Sequence, residues 1–129
     1  MKTKMTPQQA LEMLREGQLG HLMGLDEHDY TYIFDDANEV FLLTYHQPRQ
    51  SSLAAVIEEN KKEILSYAER AKGVMLRLRN TKNGQLSIED MEIESTVQNL
   101  FKDNTEFTWW MDSSDASDSR IIIDLFITT

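Results

Sequence analysis

Hydrophobic residues recur along the chain with two periods, one typical of helices and one typical of strands. Near the start, Thr6 and Pro7 precede a segment in which apolar residues return every three to four positions, which predicts a capped helix that continues to about Gln18. The apolar face of this helix consists of Ala10, Leu11 and Leu14. The next segment, Gly24 to Asn38, is mixed and predicts a loop that leads into one or two helical turns.

The middle of the chain changes from a strand pattern to a helix pattern and back. A short apolar run from Val40 to Tyr45 predicts a buried strand. Ser51 or Ser52 then caps a long predicted helix that continues to about Glu69. The inner face of that helix consists of Leu53, Val56, Ile57, Asn60, Ile64 and Ala68. Strict alternation from Val74 to Arg79 predicts a second strand.

The last third of the chain predicts one more helix and two strands. Ser87 and Asp90 have the spacing of a capping box, which indicates the start of a third helix in this region. The run Phe107 to Met111 predicts a strand, and Arg120 to Thr128 predicts the last one. Between them, Asp112 to Ser119 is nearly all Asp and Ser, which is typical of a solvated hairpin loop.

This order of elements predicts an α+β fold. Two right-handed βαβ crossovers followed by a hairpin give a four-stranded mixed sheet of βαβαββ order, with helices mainly on one face and an added N-terminal helix. The 129 residues suit a single domain with one core. We expect residues 1–20 to form the N-terminal helix and residues 21–129 to form the α+β core.

Composition narrows the classes of function. The formal net charge is −9, from 13 basic and 22 acidic residues, which disfavours binding to nucleic acids and to anionic membranes. The chain has no cysteine, which excludes disulfides and thiolate chemistry. We expect no signal peptide and no membrane-spanning segment, because neither the start nor any other part contains a sufficiently long apolar run. A cytoplasmic protein with a protein partner is the prediction.

The inventory of catalytic motifs predicts a protein that is not an enzyme. No Gly-x-Ser-x-Gly elbow and no glycine-rich phosphate loop is present, and no pair of histidines has the spacing of a zinc site. The histidines are His21, His28 and His46. Asp112, Asp115 and Asp118 recur at every third position, but the segment lacks the glycine and the closing glutamate of a calcium loop. We therefore expect no cofactor and no metal.

Two pairs of residues are candidates for partner binding. Asp26 and Asp29 lie three positions apart at a predicted helix start, where carboxylates most often cap the helix and where they also share one face. Trp109 and Trp110 occupy adjacent strand positions and therefore point to opposite faces of the sheet. One of them lies on the face away from the long helices. That face needs a cover, either the N-terminal helix or a second copy of the chain.

From about residue 20 onward the chain resembles the carboxy-terminal domain of FtsZ, the bacterial tubulin-like cell-division GTPase. The segments that carry the resemblance are Ala71–Leu76, Leu86–Glu89, Trp109, Phe126–Thr128 and the Asp26-x-x-Asp29 pair. The pair corresponds to the synergy loop, which in that family reaches the GTP bound by the next subunit. The chain departs from the family pattern at Gly24, where the family has asparagine, and at Trp110, where it has glycine. The resemblance does not extend to the GTP-binding domain of that family, which we expect to be absent.

Three hypotheses follow from these observations. The resemblance implies a non-catalytic interaction module that binds or modulates a tubulin-like GTPase polymer through Asp26 and Asp29. The second hypothesis is a self-associating structural module whose open sheet face pairs with itself around Trp109 or Trp110. The third is an enzyme similar to chorismate mutase, with sites between subunits and with Arg77 and Arg79 as anion-binding residues; the acidic charge of the chain argues against it.

Overall fold

A five-stranded mixed sheet forms the centre of the computed structural model, which describes residues 2–17, 31–48, 51–81, 89–113 and 120–129. The strands are β1 (Lys2–Met5), β2 (Val40–His46), β3 (Gly73–Asn80), β4 (Glu106–Ser113) and β5 (Ile121–Thr128). The helices are α1 (Pro7–Gly17), α2 (Leu53–Glu59), α3 (Lys61–Ala68) and α4 (Glu92–Gln98). Single 3-10 turns cover Thr31–Ile33 and Glu89–Met91. The predicted α+β class is confirmed.

The predicted number of strands is wrong, because the sheet has a fifth strand at the N-terminus. β1 pairs antiparallel with β2, so that Lys2 lies opposite Leu43 and Met5 lies opposite Val40. The strand has only four residues, of which three are exposed, and it therefore lacks the apolar run that identifies a buried strand. Its backbone groups pair with those of β2, which would otherwise be the edge strand of the sheet.

The predicted final hairpin is also wrong. β5 pairs antiparallel with β2 on one side and with β3 on the other, and the sheet order is β1-β2-β5-β3-β4. β4 pairs with β3 in parallel, so the chain passes over β3 on its way to β5. All eight residues of β5 are buried, which explains why this strand takes the central position. Asp112, predicted to lie in the loop, belongs to β4 and is buried; residues 114–119 lie outside the described residues.

The helices follow the predicted positions with different boundaries. Thr6 caps α1 reciprocally with Gln9: the Gln9 amide donates to Thr6 Oγ1 at 3.1 Å, and the Thr6 amide donates to Gln9 Oε1 at 2.9 Å. Ser52 Oγ accepts from the Ala55 amide at 3.1 Å and caps α2. The predicted long helix is two helices, because Asn60 leaves the helical region and its side chain bonds the Val56 carbonyl.

The sheet is covered on both faces. On the first, called the helix-side face, the apolar side chains of β2, β3 and β5 pack against α2, α3 and α4. On the second, called the α1-side face, Met75 and Phe126 pack with Ala10 and Leu14 of α1. Ile33 from the 3-10 turn joins the same cluster. Alternate residues of each strand thus contribute to two separate apolar cores.

Gly73 at the start of β3 occupies a tight position, where a larger residue would require its neighbours to shift. A Cβ atom there would lie 3.0 Å from Ile33 Cγ2 and 3.2 Å from Thr128 Oγ1. The preceding residue, Lys72, anchors the same corner: its amide donates to the Thr128 carbonyl at 2.7 Å, and its carbonyl accepts from the Glu106 amide at 3.0 Å. The Ala71–Leu76 segment that carries the sequence resemblance therefore has a structural task in joining β3, β4 and β5.

Candidate functional site

The two predicted partner-binding carboxylates, Asp26 and Asp29, lie outside the described residues, and so do His21 and His28. Their role stays a prediction from sequence. His46 is exposed at the end of β2.

The two tryptophans of β4 lie on opposite faces of the sheet, as the alternation predicts. Trp110 is 3% exposed and packs in the α1-side cluster. Trp109 is half-buried and lies against the helix-side core. Because α1 covers the face that holds Trp110, this side chain offers no surface for pairing of sheet faces between two copies. Trp109 stays a candidate interface residue.

A cluster of buried charges lies on the α1-side face, next to the apolar cluster. Asp124 in β5 is fully buried and stands directly opposite Thr44 in β2 and Arg77 in β3. The hydroxyl of Thr44 donates to Asp124 Oδ1 at 2.8 Å, and Arg77 Nε donates to Asp124 Oδ2 at 2.9 Å. Arg79 Nη2 donates to Asp124 Oδ1 at 3.1 Å. One carboxylate thus holds donors from two neighbouring strands.

A second carboxylate completes the charge balance of this cluster. Asp112 in β4 is 5% exposed, and its Oδ2 lies 4.0 Å from Arg77 Nη1. Arg79 Nε lies 2.7 Å from Asp124 Oδ2 but is not directed at it, so this close approach is an ion-pair contact without a hydrogen bond. Two arginines therefore face two aspartates, which removes the cost of burying any single charge alone.

The arginine of this cluster that is most buried also contacts an aromatic ring. The Cζ atom of Arg77 lies 5.3 Å from the centroid of Phe126, and the ring of Phe126 meets that of Phe34 edge to face with centroids 6.3 Å apart. The buried charges are therefore continuous with the apolar cluster. The contacts orient Arg77 toward the protein interior, where it serves to connect strands.

This arrangement bears on the chorismate-mutase-like hypothesis. A site for a dicarboxylate requires cationic groups that the ligand can reach and that do not already contact acids. Arg77 and Arg79 both contact Asp124, and only Arg79 has a side chain as much as 25% exposed. An anionic ligand would have to displace a carboxylate that belongs to the fold. The cluster is better suited to stabilising the sheet than to binding an anion.

Asp124 was not predicted to take part in a cluster of charges, although the sequence contains a signal for it. Asp124 is the one charged residue in the run Ile121–Thr128, which is otherwise apolar except for its last position. A charge in a fully buried strand needs a partner of opposite charge. Arg77 and Arg79, two positions apart on one strand face, were the available partners.

On the helix-side face, a tyrosine joins β2 to α3. The hydroxyl of Tyr45 donates to Glu63 Oε1 at 2.5 Å. Burial, and then the hydrogen bond and charge of Glu63, raise the pKa of Tyr45 far above its ordinary value. The phenol is therefore held in its neutral form and acts as a hydrogen-bond donor.

We expect Tyr45→Phe to lower the free energy of unfolding by about 1 kcal/mol at neutral pH, because one hydrogen bond to a carboxylate is lost. The folded state holds the phenolic proton more tightly than the unfolded chain does. The stability that this group contributes is therefore present below about pH 10 and is lost above it, at up to about 1.4 kcal/mol per pH unit.

Urea unfolding at neutral pH and again above pH 10 tests this expectation. Tyr45→Phe should lose less stability in the alkaline range than the parent chain. Tyr32→Phe, which changes a tyrosine that is 43% exposed, is the matched control and should follow the parent at every pH. An alkaline loss in Tyr45→Phe as steep as in the parent would contradict the assignment.

Neither a cluster of metal ligands nor a membrane-spanning helix is found among the described residues. In this part of the chain, no three acidic, histidine or cysteine side chains come together in a way that would hold a metal ion. None of the helices within these ranges has the length and apolar character of a bilayer-spanning segment.

Comparison with known proteins defines the class of fold. No family model matches the chain, and no curated protein matches it. Among solved structures, however, the architecture is similar to that of FtsZ, so the chain has an FtsZ-like α+β fold. One of the matching structures is the empty FtsZ dimer of M. jannaschii, with a TM-score of 0.61 and 14% sequence identity.

The match covers very different shares of the two chains. The alignment covers 81% of this chain and 31% of the FtsZ chain, so the present chain spans less than a third of that protein. The resemblance predicted from the sequence is confirmed at the level of the fold. At a sequence identity of 14%, the similarity shows a shared fold and not a shared function.

Proposed function

We propose that this chain is a non-catalytic protein–protein interaction module that binds a tubulin-like GTPase polymer and modulates its assembly or its hydrolysis of GTP. The observation that carries the proposal is the FtsZ-like fold, which matches only 31% of the FtsZ chain. A module of this kind would present to its partner one of the surfaces through which a polymer subunit makes contact. It would add to a filament through that surface and thereby change the assembly of the polymer.

The sequence supports a role without catalysis. The chain has no glycine-rich phosphate loop, so it lacks the backbone donors that hold a nucleotide triphosphate in known GTPases. The two arginines of β3, Arg77 and Arg79, already contact Asp124. We infer that the chain acts in the cytoplasm, in cell division, through a GTPase partner that supplies the nucleotide.

The surface that we assign to this contact contains Asp26 and Asp29. The resemblance implies that these two carboxylates face the nucleotide of the neighbouring subunit. In that position they would orient water or the metal-bound phosphate of the partner. The charge of −9 is compatible with such a contact only where the partner presents cations or a bound metal ion, which favours the nucleotide face over other surfaces.

Purified FtsZ of the organism that carries this chain provides the test. Sedimentation of GTP-dependent polymers and the rate of phosphate release are measured with and without the chain. We expect the parent chain to bind FtsZ and to change both polymer mass and hydrolysis. Asp26→Ala/Asp29→Ala should weaken this effect about tenfold or more, because two charge contacts are removed.

The chain offers a matched control for that variant. Asp35 and Asp36 are an exposed pair of aspartates close in sequence to the candidate pair. Asp35→Ala/Asp36→Ala changes the net charge by the same amount and should leave the effect on FtsZ unchanged. Absence of binding by the parent chain would refute the proposal. An effect of Asp26→Ala/Asp29→Ala equal to that of the parent would refute the assigned surface.

A further inference from the structure

The two edges of the sheet differ in how well they are protected from pairing with another strand. β1, at one edge, has four residues and carries the exposed side chains of Lys2 and Lys4, both of which discourage strand addition. β4 lies at the other edge of the described sheet and has eight residues with no lysine, arginine or proline. Its register with β3 is unbroken from Glu106 to Ser113, so no bulge bends it away.

The backbone of β4 presents alternate residues to this edge. The Glu106 amide donates to the Lys72 carbonyl, so Glu106 directs its hydrogen-bonding groups toward β3. Because these groups alternate in direction along a strand, Phe107, Trp109 and Met111 direct theirs away from β3, toward the open edge. The side chains of the same three residues are only half-buried. Among the described residues no strand pairs with this side of β4, so the edge combines backbone groups that point away from the sheet with a row of accessible apolar side chains.

We propose that β4 pairs antiparallel with β4 of a second copy of this chain and joins the two sheets into one. The charge pattern of β4 indicates that the partner of this edge is a second copy of the chain. The five residues from Phe107 to Met111 are uncharged. The acid at one end, Asp112, is buried beside Arg77, which leaves Glu106 as the exposed charge of β4. A strand with this pattern meets little repulsion from its own copy and offers little to a cationic peptide.

The charges also select one register. In a two-fold pair, residues on the same face must lie opposite each other. A pair centred on Trp109 places Glu106 opposite Asp112, two like charges. A pair centred on Thr108 leaves residues 111 to 113 of each β4 without an opposite residue in the β4 of the second copy. A pair centred on Trp110 uses residues 107 to 113 and sets no two acids opposite each other.

The register centred on Trp110 matches favourable partners. It places Trp109 opposite Met111 in a hydrogen-bonded pair, so that an aromatic ring meets a thioether twice in the dimer. Thr108 lies opposite Asp112, and Phe107 lies opposite Ser113. The contact is small, and we therefore expect a dimer that dissociates on dilution.

Sedimentation equilibrium measures the association. At about 0.5 mM chain, a concentration suited to weak interfaces, we expect a mean mass well above the 15.0 kDa of one chain. Since each copy carries a charge of −9, screening by salt should strengthen the dimer between about 0.05 M and about 0.5 M NaCl. A strictly monomeric chain over this range would overturn the proposal.

A proline substitution tests the open edge itself. Met111→Pro removes an amide that points away from β3, so the ladder to β3 keeps its bonds while the dimer loses two. We expect dissociation to become about tenfold easier or more. Met111→Val, which keeps the amide and the strand preference, should dimerise as the parent does. Equal association of the two variants, with both folded by circular dichroism, would contradict the proposal.

Disulfide trapping tests the register, because the natural chain has no cysteine. Phe107→Cys and Ser113→Cys are prepared separately. In a dimer of one variant with itself, the new cysteine lies opposite a residue that is not cysteine. In a dimer that combines the two variants, the two cysteines lie opposite each other. Their Cα atoms are then about 5.5 Å apart, a separation that a disulfide spans. Oxidation should cross-link the mixture much faster than either variant alone. Equal rates in all three samples would exclude this pairing.

Discussion

Asp124→Asn should lower the free energy of unfolding by about 3–5 kcal/mol, the largest effect that we expect from a change of one charge in this chain. The carboxylate of Asp124 is fully buried and accepts from Thr44, Arg77 and Arg79. The amide keeps the size of the side chain but removes its charge. Arg77, 4% exposed, would then be left with Asp112 at 4.0 Å as its nearest compensating group. Urea unfolding followed by circular dichroism measures the loss.

Two further variants separate the loss of a buried ion pair from a general effect of removing an acid. Asp103→Asn makes the same substitution at an exposed position and should change stability by less than about 0.5 kcal/mol. Arg77→Met/Asp124→Leu removes the two charges of the central pair and leaves Arg79 directly opposite Asp112 in the sheet. It should recover more than half of the loss, because apolar side chains often replace a buried pair at little cost. A loss in Asp124→Asn as small as in Asp103→Asn would contradict the buried cluster.

The elements of this fold could largely be predicted from the sequence because their signals are local. Periodicity located α1, β2, β3, β4 and β5, and residue type alone identified the cap at Thr6 and narrowed the cap of α2 to Ser51 or Ser52, of which Ser52 is the one observed. The order of strands could not be predicted in the same way. A hairpin between β4 and β5 is the simplest connection, but the eight buried residues of β5 gain more by lying between two partners. That choice depends on contacts distant in sequence.

The candidate sites, too, could be predicted only where the signal is local in the sequence. Alternation correctly placed Trp109 and Trp110 on opposite faces, since this needs only the period of a strand. The charged cluster joins Thr44, Arg77 and Asp124, which come from three strands, and no local pattern connects them. The Asp–Ser composition after Met111 suggested solvent, yet Asp112 is buried because Arg77 lies beside it. Composition predicts the average burial of a residue type, whereas the burial of one residue also depends on its specific partner.

Trp110→Ala should be far more destabilising than Trp109→Ala, although the two residues are neighbours. Trp110 is 3% exposed and packs with Met75, Phe126 and α1, so its truncation leaves a cavity that we expect to cost about 3–5 kcal/mol. Trp109 is half-buried against the helix-side core, and its loss should cost about 1–2 kcal/mol. Urea unfolding at micromolar chain concentration, where β4 is not paired between copies, gives both values.

Fluorescence provides an independent measurement of the same difference, since each single Trp→Phe variant leaves one indole to report. The emission of Trp110, recorded in Trp109→Phe, should lie at shorter wavelength and resist quenching by acrylamide, because α1 keeps water from the ring. The emission of Trp109, recorded in Trp110→Phe, should be quenched readily in the monomer and become protected as chain concentration rises. Ready quenching of Trp110 would mean that α1 does not cover this face, and the sheet face would again become a candidate for pairing.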